Sequence, residues 1–387
     1  MSEERRRALL PAGLSDLLPP GALGEARAVE RLMQCCEARG YERVKPPLLE
    51  FEESLLAGAG SAVANETFRL MDPVSQRMLG LRADMTPQVM RIAACRLPAA
   101  ARPLRLCYAG QVLRQRGDQL RPERQFAQVG AELIGSDSPA ADAEAILLAA
   151  DALLDLGVRG LSVDLCLPSL VGSVSAALGF DERQTRLLGE AMDRKNAAAA
   201  AQIGGSQAEP LLNLLAVVGP LETALPRLRF LALPPAAEKQ VARLAEVAAL
   251  LAEAHPDLTL TLDPVEHRGH VYQIGLSFTL FGQGVRGELG RGGRYFADCL
   301  DGGREPGTGF TLFADTVLRA IEPPRGLARI FLPLGTPRAE AEALRQEGWA
   351  TVGGLACEPD AMAEARRLNC RHLWRDGAAW PVSPGAE

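Results

Sequence analysis

The chain has 387 residues, of which 47% are hydrophobic and 23% are charged, as is ordinary for a soluble globular protein. This length predicts two domains and allows a large hydrophobic core. The net charge of -6 argues mildly against nucleic-acid binding, because nucleic-acid-binding surfaces normally carry a basic excess.

Cysteine usage and the N-terminus indicate the cellular compartment. The eight cysteines form no CxxC pair, which suits reduced thiols in the cytoplasm and gives no zinc signature. The four histidines are dispersed, so we expect no metal or other cofactor. The N-terminus lacks a long apolar run and a cleavage site, and no segment approaches the roughly 20 apolar residues of a membrane span. We therefore expect a cytoplasmic protein without a membrane contact.

The first part of the chain combines one helix with short strands. An apolar stripe predicts a helix over residues 21–39, and Gly40 is typical of a residue that follows a helix C-terminus. A short strand is predicted within residues 40–50, where a double proline suits a sheet edge or an interface. Two further strands are predicted over residues 66–70 and 77–81.

The next helix is predicted to begin at Thr86, with the hydroxyl as its cap and Pro87 at its first position. Asp84 lies just before this helix start. Two alternatives are open for its carboxylate: it faces whatever the adjoining sheet binds, or it is a plain capping group.

A hairpin over residues 104–135 carries the most informative pattern. Its flanks, LRLCYAGQVL and FAQVGAELI, alternate apolar and polar residues, which is the period of a strand with one wet face. Arg114 lies where the first strand enters an arginine-rich loop, and Gln128 and Glu132 share one face of the returning strand. A guanidinium, an amide and a carboxylate together can bind a small zwitterion or a phosphate. The alternative is a plain hairpin exposed to solvent, because charged loops are usually solvated.

The remaining chain consists of a helical region, a glycine-rich region and a tail. The glycine-rich segment 287–310 suits either a phosphate-binding loop or the turns of an antiparallel sheet. Alternating strands and helices predict a small α/β domain over 324–387, after a core domain over 1–323. The other predicted elements are a helix over 139–156, a strand over 161–167, a helical connection or insertion over about 169–255, strands over 258–262 and 270–281, and a helix over 310–321.

Five motifs in order resemble the core of the class II aminoacyl-tRNA synthetases, and most closely histidyl-tRNA synthetase. The resemblance covers residues 8–321. It implies an α+β fold in which helices flank an antiparallel sheet. The segments that carry it are GYERVKPPLLE at 40–50, LRADMTPQVMR at 81–91, the stretch 113–132, HRGHVYQIG at 267–275, and the pair GRGGRY and PGTGFTLFADTVL.

By position, the resemblance implies a histidine-binding pocket. Asp84 replaces a glutamate of the synthetase, and Gln273 stands where the synthetase has a second tyrosine. Acids can hold the ammonium and imidazole of histidine, while a guanidinium and an amide hold its carboxylate. The alternative is a satisfied internal network without a ligand. The implied pocket residues are Asp84, Thr86, Arg114, Gln128, Glu132, Arg268, Tyr272 and Gln273.

The nucleotide site departs from the family pattern. Thr316 stands where the third class motif has an arginine for the γ-phosphate, and Arg116 stands where the second motif has an acid that contacts adenine. Threonine cannot replace a bidentate guanidinium contact, and Arg116 inverts the charge at its position. The tail is also too short for the family's anticodon-binding domain. We therefore predict that the chain has no catalytic residues and no adenylation activity.

A synthetase-like core with a lost ATP site and a short tail resembles the regulatory subunits of ATP phosphoribosyltransferase. This resemblance implies a non-catalytic subunit that activates a short catalytic subunit in the first step of L-histidine biosynthesis and takes part in feedback inhibition by histidine. It also implies a homodimer within a hetero-octamer, and we expect no tRNA binding. The alternatives are a functional histidyl-tRNA synthetase and a tRNA-interacting paralogue. Three candidate interfaces with the catalytic subunit stay open: the N-terminal segment, the helical region and the tail.

Overall fold

A nine-stranded β-sheet organises the first of two units of the chain, Met1–Glu322. A computed structural model describes residues 9–117, 121–267, 273–298, 303–322 and 326–383. The strands of this unit are β1 (Glu42–Arg43), β2 (Leu49–Phe51), β3 (Phe68–Met71), β4 (Met78–Leu81), β5 (Leu104–Leu113), β6 (Gln125–Ile134), β7 (Ser162–Cys166), β8 (Gly219–Pro220), β9 (Thr259–Asp263), β10 (Ser277–Phe281), β11 (Gly290–Asp298) and β12 (Arg304–Phe313).

The strand pairing is mainly antiparallel. The large sheet has the order β1-β5-β6-β12-β11-β10-β7-β9-β8, and β2-β4-β3 form a separate small sheet. Only the pairs β1–β5 and β7–β9 run parallel among the described strands of the large sheet. With helices on its faces, this sheet confirms the predicted α+β class.

Helices cover the sheet and fill the connection between β7 and β9. Parallel neighbours such as these need a long crossover, and residues 170–254 supply it as six helices, which confirms the predicted helical region. The helices of the unit are α1 (Gly21–Glu37), α2 (Glu52–Leu55), α3 (Thr86–Cys95), α4 (Pro139–Leu156), α5 (Leu170–Ala177), α6 (Glu182–Asp193), α7 (Ala197–Gly204), α8 (Glu209–Leu215), α9 (Leu221–Phe230), α10 (Pro235–Ala254) and α11 (Ala314–Ala320).

Both faces of the large sheet are buried. On one face, Val129 of β6 packs in a cluster with Leu32 of α1 and Leu148 of α4. On the other face, Val89 of α3 packs with Phe313 of β12 in a second cluster. Residues of β6 are therefore buried on both sides, and the prediction that this hairpin has one wet face is wrong.

The end of β12 corrects another prediction. Phe310 to Phe313 were expected to open a helix over 310–321, but these residues pair with β6 on one side and with β11 on the other. The helix α11 begins only at Ala314. An apolar run of this length suits a buried strand as well as a helix, and the two neighbouring strands decide the outcome.

The glycine-rich segment forms strand interiors. GRGGRY opens β11, and Gly307 and Gly309 lie within β12. A Cβ atom on Gly307 would collide with the Tyr295 ring, and one on Gly309 would collide with the Glu132 carboxylate. These glycines therefore leave room for side chains that lie flat on the sheet.

A buried ion network ties the sheet to two helices. Asp142, near the start of α4, accepts hydrogen bonds from Arg294 of β11 and Arg243 of α10, with its oxygens 2.8 and 2.7 Å from the respective guanidinium nitrogens. The side chains of Asp142 and Arg294 are only 3% and 7% exposed. This network joins β11, α4 and the helical crossover at one point.

The second unit, Pro323–Glu387, contains a four-stranded sheet of order β14-β13-β15-β16. Phe331 and Leu373 belong to its core. The predicted alternation of strands and helices is confirmed by β13 (Arg329–Leu332), α12 (Arg338–Gln346), β14 (Ala350–Gly353), α13 (Ala361–Arg367), β15 (His372–Arg375) and β16 (Ala378–Pro381).

We predict that Asp142→Asn destabilises the chain by about 3–5 kcal/mol, because it removes the buried counter-charge of Arg294 and, among the described residues, leaves only the exposed Asp137 to pair with Arg294 and Arg243. Asp151→Asn is the matched control: Asp151 pairs with Arg39 in an exposed ion pair, which is worth less than about 1 kcal/mol. Urea denaturation of the two variants and the parent measures both effects. Equal losses for the two variants would contradict the importance of the Asp142 network.

Candidate ligand-binding site

Four of the predicted pocket residues form one hydrogen-bonded cluster. The Gln128 side chain donates to Asp84 Oδ1 at 2.9 Å and to Thr311 Oγ1 at 3.3 Å. Its amide oxygen accepts from the Met85 backbone N–H at 2.8 Å. Gln128 of β6 thereby fixes the loop before α3 onto the sheet and sets the position of the Asp84 carboxylate.

The structure shows Asp84 in one of the two roles that its sequence position left open, the capping role. Its Oδ1 accepts from the Thr86 backbone N–H at 2.9 Å, so it serves the start of α3. Its Oδ2 makes no hydrogen bond within the described ranges, and the residue is half-buried. One carboxylate oxygen therefore has a structural role, and the other has no partner among the described residues.

The Thr86 hydroxyl points into the site instead of capping α3, so the predicted capping role is wrong. The N-cap residue of this helix is Met85, and its side chain makes no capping hydrogen bond. The Thr86 hydroxyl lies 2.9 Å from the Tyr108 hydroxyl, which is also 2.9 Å from Thr311 Oγ1. Three hydroxyl groups from α3, β5 and β12 thus meet on the sheet.

Glu132 ends this chain of hydroxyl groups. The Tyr108 hydroxyl donates to Oε1 at 3.2 Å and the Tyr295 hydroxyl to Oε2 at 2.8 Å, while the residue is 1% exposed. Burial raises the pKa of Glu132 to about 8, the nearby Asp84 carboxylate adds to the rise, and hydrogen bonds from Tyr295, Thr86 and Tyr108 oppose it. Burial therefore favours the protonated carboxyl group at neutral pH.

Arg114 follows β5 and lies beside Phe126, near the start of the β6 face that also carries Gln128. Its guanidinium is 5.3 Å from the Phe126 ring centre, and its Nε is 3.1 Å from Glu66 Oε2. Phe126 and Gln128 alternate along β6 and so share a face. Arg114 also lines a cavity of about 590 Å³, together with Asn65, Glu66, Gln115, Arg116, Gly117, Arg121 and Glu123.

The two positions where the sequence predicts a lost nucleotide contact, Arg116 and Thr316, both lie near this cavity. Arg116 is one of its lining residues. Thr316 is 1% exposed and its hydroxyl accepts from Arg319 at 3.2 Å. Position 316 therefore carries a small hydroxyl group that is already hydrogen-bonded by neighbouring side chains.

Arg121 fills the space beside Thr316. Its guanidinium stacks 3.6 Å from the Phe313 ring centre and lies 5.0 Å from that of Phe126. It pairs with Asp315 at 3.5 Å and its side chain is 8% exposed. A guanidinium over an aromatic face is a favourable contact, and here Arg121 occupies both the Phe313 ring face and the Asp315 carboxylate.

Three predicted pocket residues come from the segment 267–275. Arg268 and Tyr272 lie outside the described residues, as does the start of the strand predicted over 270–281, which is described only as β10. Gln273 is half-buried, and its amide oxygen has no hydrogen-bond partner among the residues described. A Cβ atom on Gly293 would approach this oxygen to 2.8 Å.

Sequence reasoning missed Tyr108, Tyr295 and Thr311, which complete the cluster. All three lie on the same face of the sheet as Glu132. Tyr108 pairs with Gly130, two positions before Glu132, and Thr311 lies two positions after Gly309, which pairs with Glu132. Tyr295 pairs with Gly307, two positions before Gly309. The alternation in LRLCYAG and the tyrosine that closes GRGGRY were the available signals. A single tyrosine in an apolar strand is, however, usually a core residue.

The chain has no described helix that is long and apolar enough to cross a membrane. In the described parts, no three His, Cys, Asp or Glu side chains are arranged to hold a metal ion. The seven described cysteines are all free.

Comparison with known proteins identifies relatives over nearly the whole chain. A family model for histidyl-tRNA synthetase matches residues 13–317. Curated proteins named ATP phosphoribosyltransferase regulatory subunit are 57% identical in Rhodospirillum centenum and 56% identical in Paramagnetospirillum magneticum. These alignments cover 96% and 97% of this chain, and 95% and 99% of the two relatives.

Solved structures agree with this result. One described as an ATP phosphoribosyltransferase regulatory subunit/histidyl-tRNA synthetase, from Bacillus halodurans, has a TM-score of 0.80 at 26% identity and covers 92% of this chain and 96% of its own. Histidyl-tRNA synthetase from Nostoc has a TM-score of 0.80 at 18% identity, covering 96% of this chain and 92% of its own, which is a likeness in fold.

The fold defines a class II synthetase-like protein. The relatives make the assignment specific, since this chain belongs to the family of ATP phosphoribosyltransferase regulatory subunits. The resemblance inferred from the sequence motifs is confirmed, and with it the regulatory, non-catalytic class.

We predict that Glu132→Gln raises the free energy of unfolding relative to the parent, and that this gain grows with pH. The folded state keeps its proton up to about pH 8, whereas the unfolded state loses it near 4.5. The parent therefore loses stability as pH rises through this window, by at most about 1.4 kcal/mol per pH unit. Urea denaturation at several pH values within the window measures the difference.

Glu144→Gln is the matched control for that measurement. Hydrogen bonds from Arg105 lower the pKa of Glu144, so its contribution to stability is lost as pH falls rather than as pH rises. The Glu144→Gln variant should thus lose stability near neutral pH without any growing gain toward pH 8. A Glu132→Gln gain that stays constant with pH would show that the buried carboxyl does not hold its proton.

Proposed function

We propose that this chain is a non-catalytic subunit that a short ATP phosphoribosyltransferase catalytic subunit needs for activity, and that histidine is its feedback effector. One contrast carries the proposal: a polar cluster suited to an amino acid lies beside nucleotide positions that have changed. The names of the curated relatives support the partnership with ATP phosphoribosyltransferase. The effector would then be the end product of the route in which the complex catalyses the first step.

The polar groups of the site match those of histidine. The open oxygen of Asp84 suits the ammonium group, and the deeper Glu132 suits the imidazole. The Arg114 guanidinium suits the carboxylate, because charge-assisted bonds of this kind are the strong ones. Gln128 and Thr86 position the acids through the hydrogen bonds described above. We propose that Arg268, Tyr272 and Gln273 complete the pocket.

The changed nucleotide positions support a role without adenylation. Thr316 offers no guanidinium for a phosphate, and Arg116 brings a positive charge where the synthetase pattern has an acid. Arg121 stacks on Phe313 and pairs with Asp315, so a planar base would have to displace a buried charge pair. Breaking such a pair costs several kcal/mol.

Regulation requires that histidine binds one state of the complex better than another. We propose a homodimer of this chain within a hetero-octamer that contains four copies of each subunit, in the cytoplasm. The coupling free energy between the histidine pocket and the catalytic site is expected to be about 1–3 kcal/mol. The core over residues 1–323 would hold the effector, and the small domain over 324–387 remains a candidate contact with the partner.

We predict that the short catalytic subunit has little activity alone, gains activity when this chain is added, and loses it again when histidine is titrated in. A phosphoribosyltransferase assay with and without this chain measures each step. A catalytic subunit that is fully active alone would overturn the activating role. Histidine-dependent ATP–pyrophosphate exchange by this chain would instead favour a functional synthetase.

We predict that Asp84→Asn weakens histidine binding at least tenfold, because the amide cannot pair with the ammonium group; a tenfold change corresponds to about 1.4 kcal/mol. Asp376→Asn makes the same chemical change on a side chain that is 80% exposed in the second unit, and it should leave the affinity unchanged. Isothermal titration of the two variants and the parent measures the affinities. An unaltered affinity in Asp84→Asn would remove Asp84 from the pocket.

A further inference from the structure

Glu132 differs from the other acids of the site in what surrounds it. Hydroxyl groups approach it from three elements: Tyr108 on β5, Tyr295 on β11 and, through Tyr108, Thr86 on α3. The charged group that faces it is Asp84, which is also an acid. No Arg or Lys within the described ranges forms an ion pair with Glu132.

Such a position disfavours an isolated charge of either sign. A carboxylate there would lie beside a second acid, with no cation from the described residues to pair with it, and burying a charge in this way is costly. The open Asp84 oxygen is assigned to the ligand's ammonium group, so an imidazolium against a neutral Glu132 carboxyl group would have no counter-charge of its own. A single proton held between the carboxyl group and the ligand leaves the pair neutral overall.

We propose that Glu132 is a specificity-determining residue that brings one proton into the complex and shares it with an imidazole nitrogen of the ligand. This inference rests on the proposed binding of histidine. The proton moves along an O–H···N contact to give O⁻···H–N⁺ or remains on the oxygen, and no proton leaves the pair. Each oxygen accepts one bond from a tyrosine and retains a lone pair for this contact.

The selectivity follows from matched acidities. Imidazole has a pKa of about 6.5 in its ordinary state, and burial raises the pKa of Glu132 to about 8. Between these values the empty pocket holds the proton and free imidazole lacks it, so the two partners meet in the right protonation states. An amide side chain, as in glutamine, has no nitrogen that can take up the proton near neutral pH.

The shared proton predicts a bell-shaped dependence of affinity on pH. Binding should be tightest between about pH 6.5 and 8, and should weaken up to tenfold per pH unit on either side. Titration calorimetry in two buffers of different ionisation enthalpy counts the protons: near zero within the window, release below it and uptake above it.

Glu132→Gln tests the assignment of the alkaline limb. The amide does not titrate, so the limb near pH 8 should disappear, and what remains at higher pH reports the ligand's own ammonium group. Tyr295→Phe is the second variant, since it keeps the acid but removes the bond to Oε2. It should raise the pKa of Glu132 and move the alkaline limb to higher pH. Tyr41→Phe, which removes a hydroxyl bonded to Glu144, is the matched control and should leave the profile unchanged.

The outcomes separate this inference from the proposed function. An affinity that rises steadily toward alkaline pH would mean a complex without the proton, and one that rises steadily toward acid would mean two protons. Either result, or a Glu132→Gln profile with the parent's alkaline limb, overturns the shared proton while histidine remains the effector. No binding of histidine by the parent chain at any pH would overturn the proposed sensor itself.

Discussion

The structure of the site depends on the burial of a carboxyl group within a sheet that is covered on both faces. Glu132 has to find hydrogen-bond donors there, and Tyr108 and Tyr295 supply one for each oxygen. These tyrosines lie over Gly130 and Gly307, where any larger residue would collide with their rings. The glycines, the phenols and the acid are therefore parts of one arrangement that keeps polar groups in the interior.

Much of the fold could be predicted from the sequence, because most elements have a clear period and clear ends. The helix at Pro139–Leu156 and the alternation in the second unit are examples. The failures have a common physical cause. Alternation in β6 shows which residues share a face, but α3, which covers that face, comes from a distant part of the sequence. Likewise, only the pairing with β6 and β11 decides that Phe310–Phe313 is strand.

The site was predictable only in part and for a similar reason. Asp84, Thr86, Gln128 and Glu132 were found through the order of motifs, and the hydrogen bonds that join them require the folded sheet. The contact of Arg121 with Phe313 and Asp315 was not predictable, because it crosses almost 200 positions of the chain. An arginine in a charged loop normally faces water, and only the tertiary structure shows that this one is buried.

Two adjacent residues of β11 make polar contacts on opposite faces of the sheet. Tyr295 reaches the carboxyl group on one side, and Arg294, its immediate neighbour, holds Asp142 and thereby α4 on the other. Asp142 in turn holds Arg243 of the helical crossover. A displacement of the strand's backbone at Tyr295 would therefore also move Arg294 and, through Asp142, act on both α4 and α10.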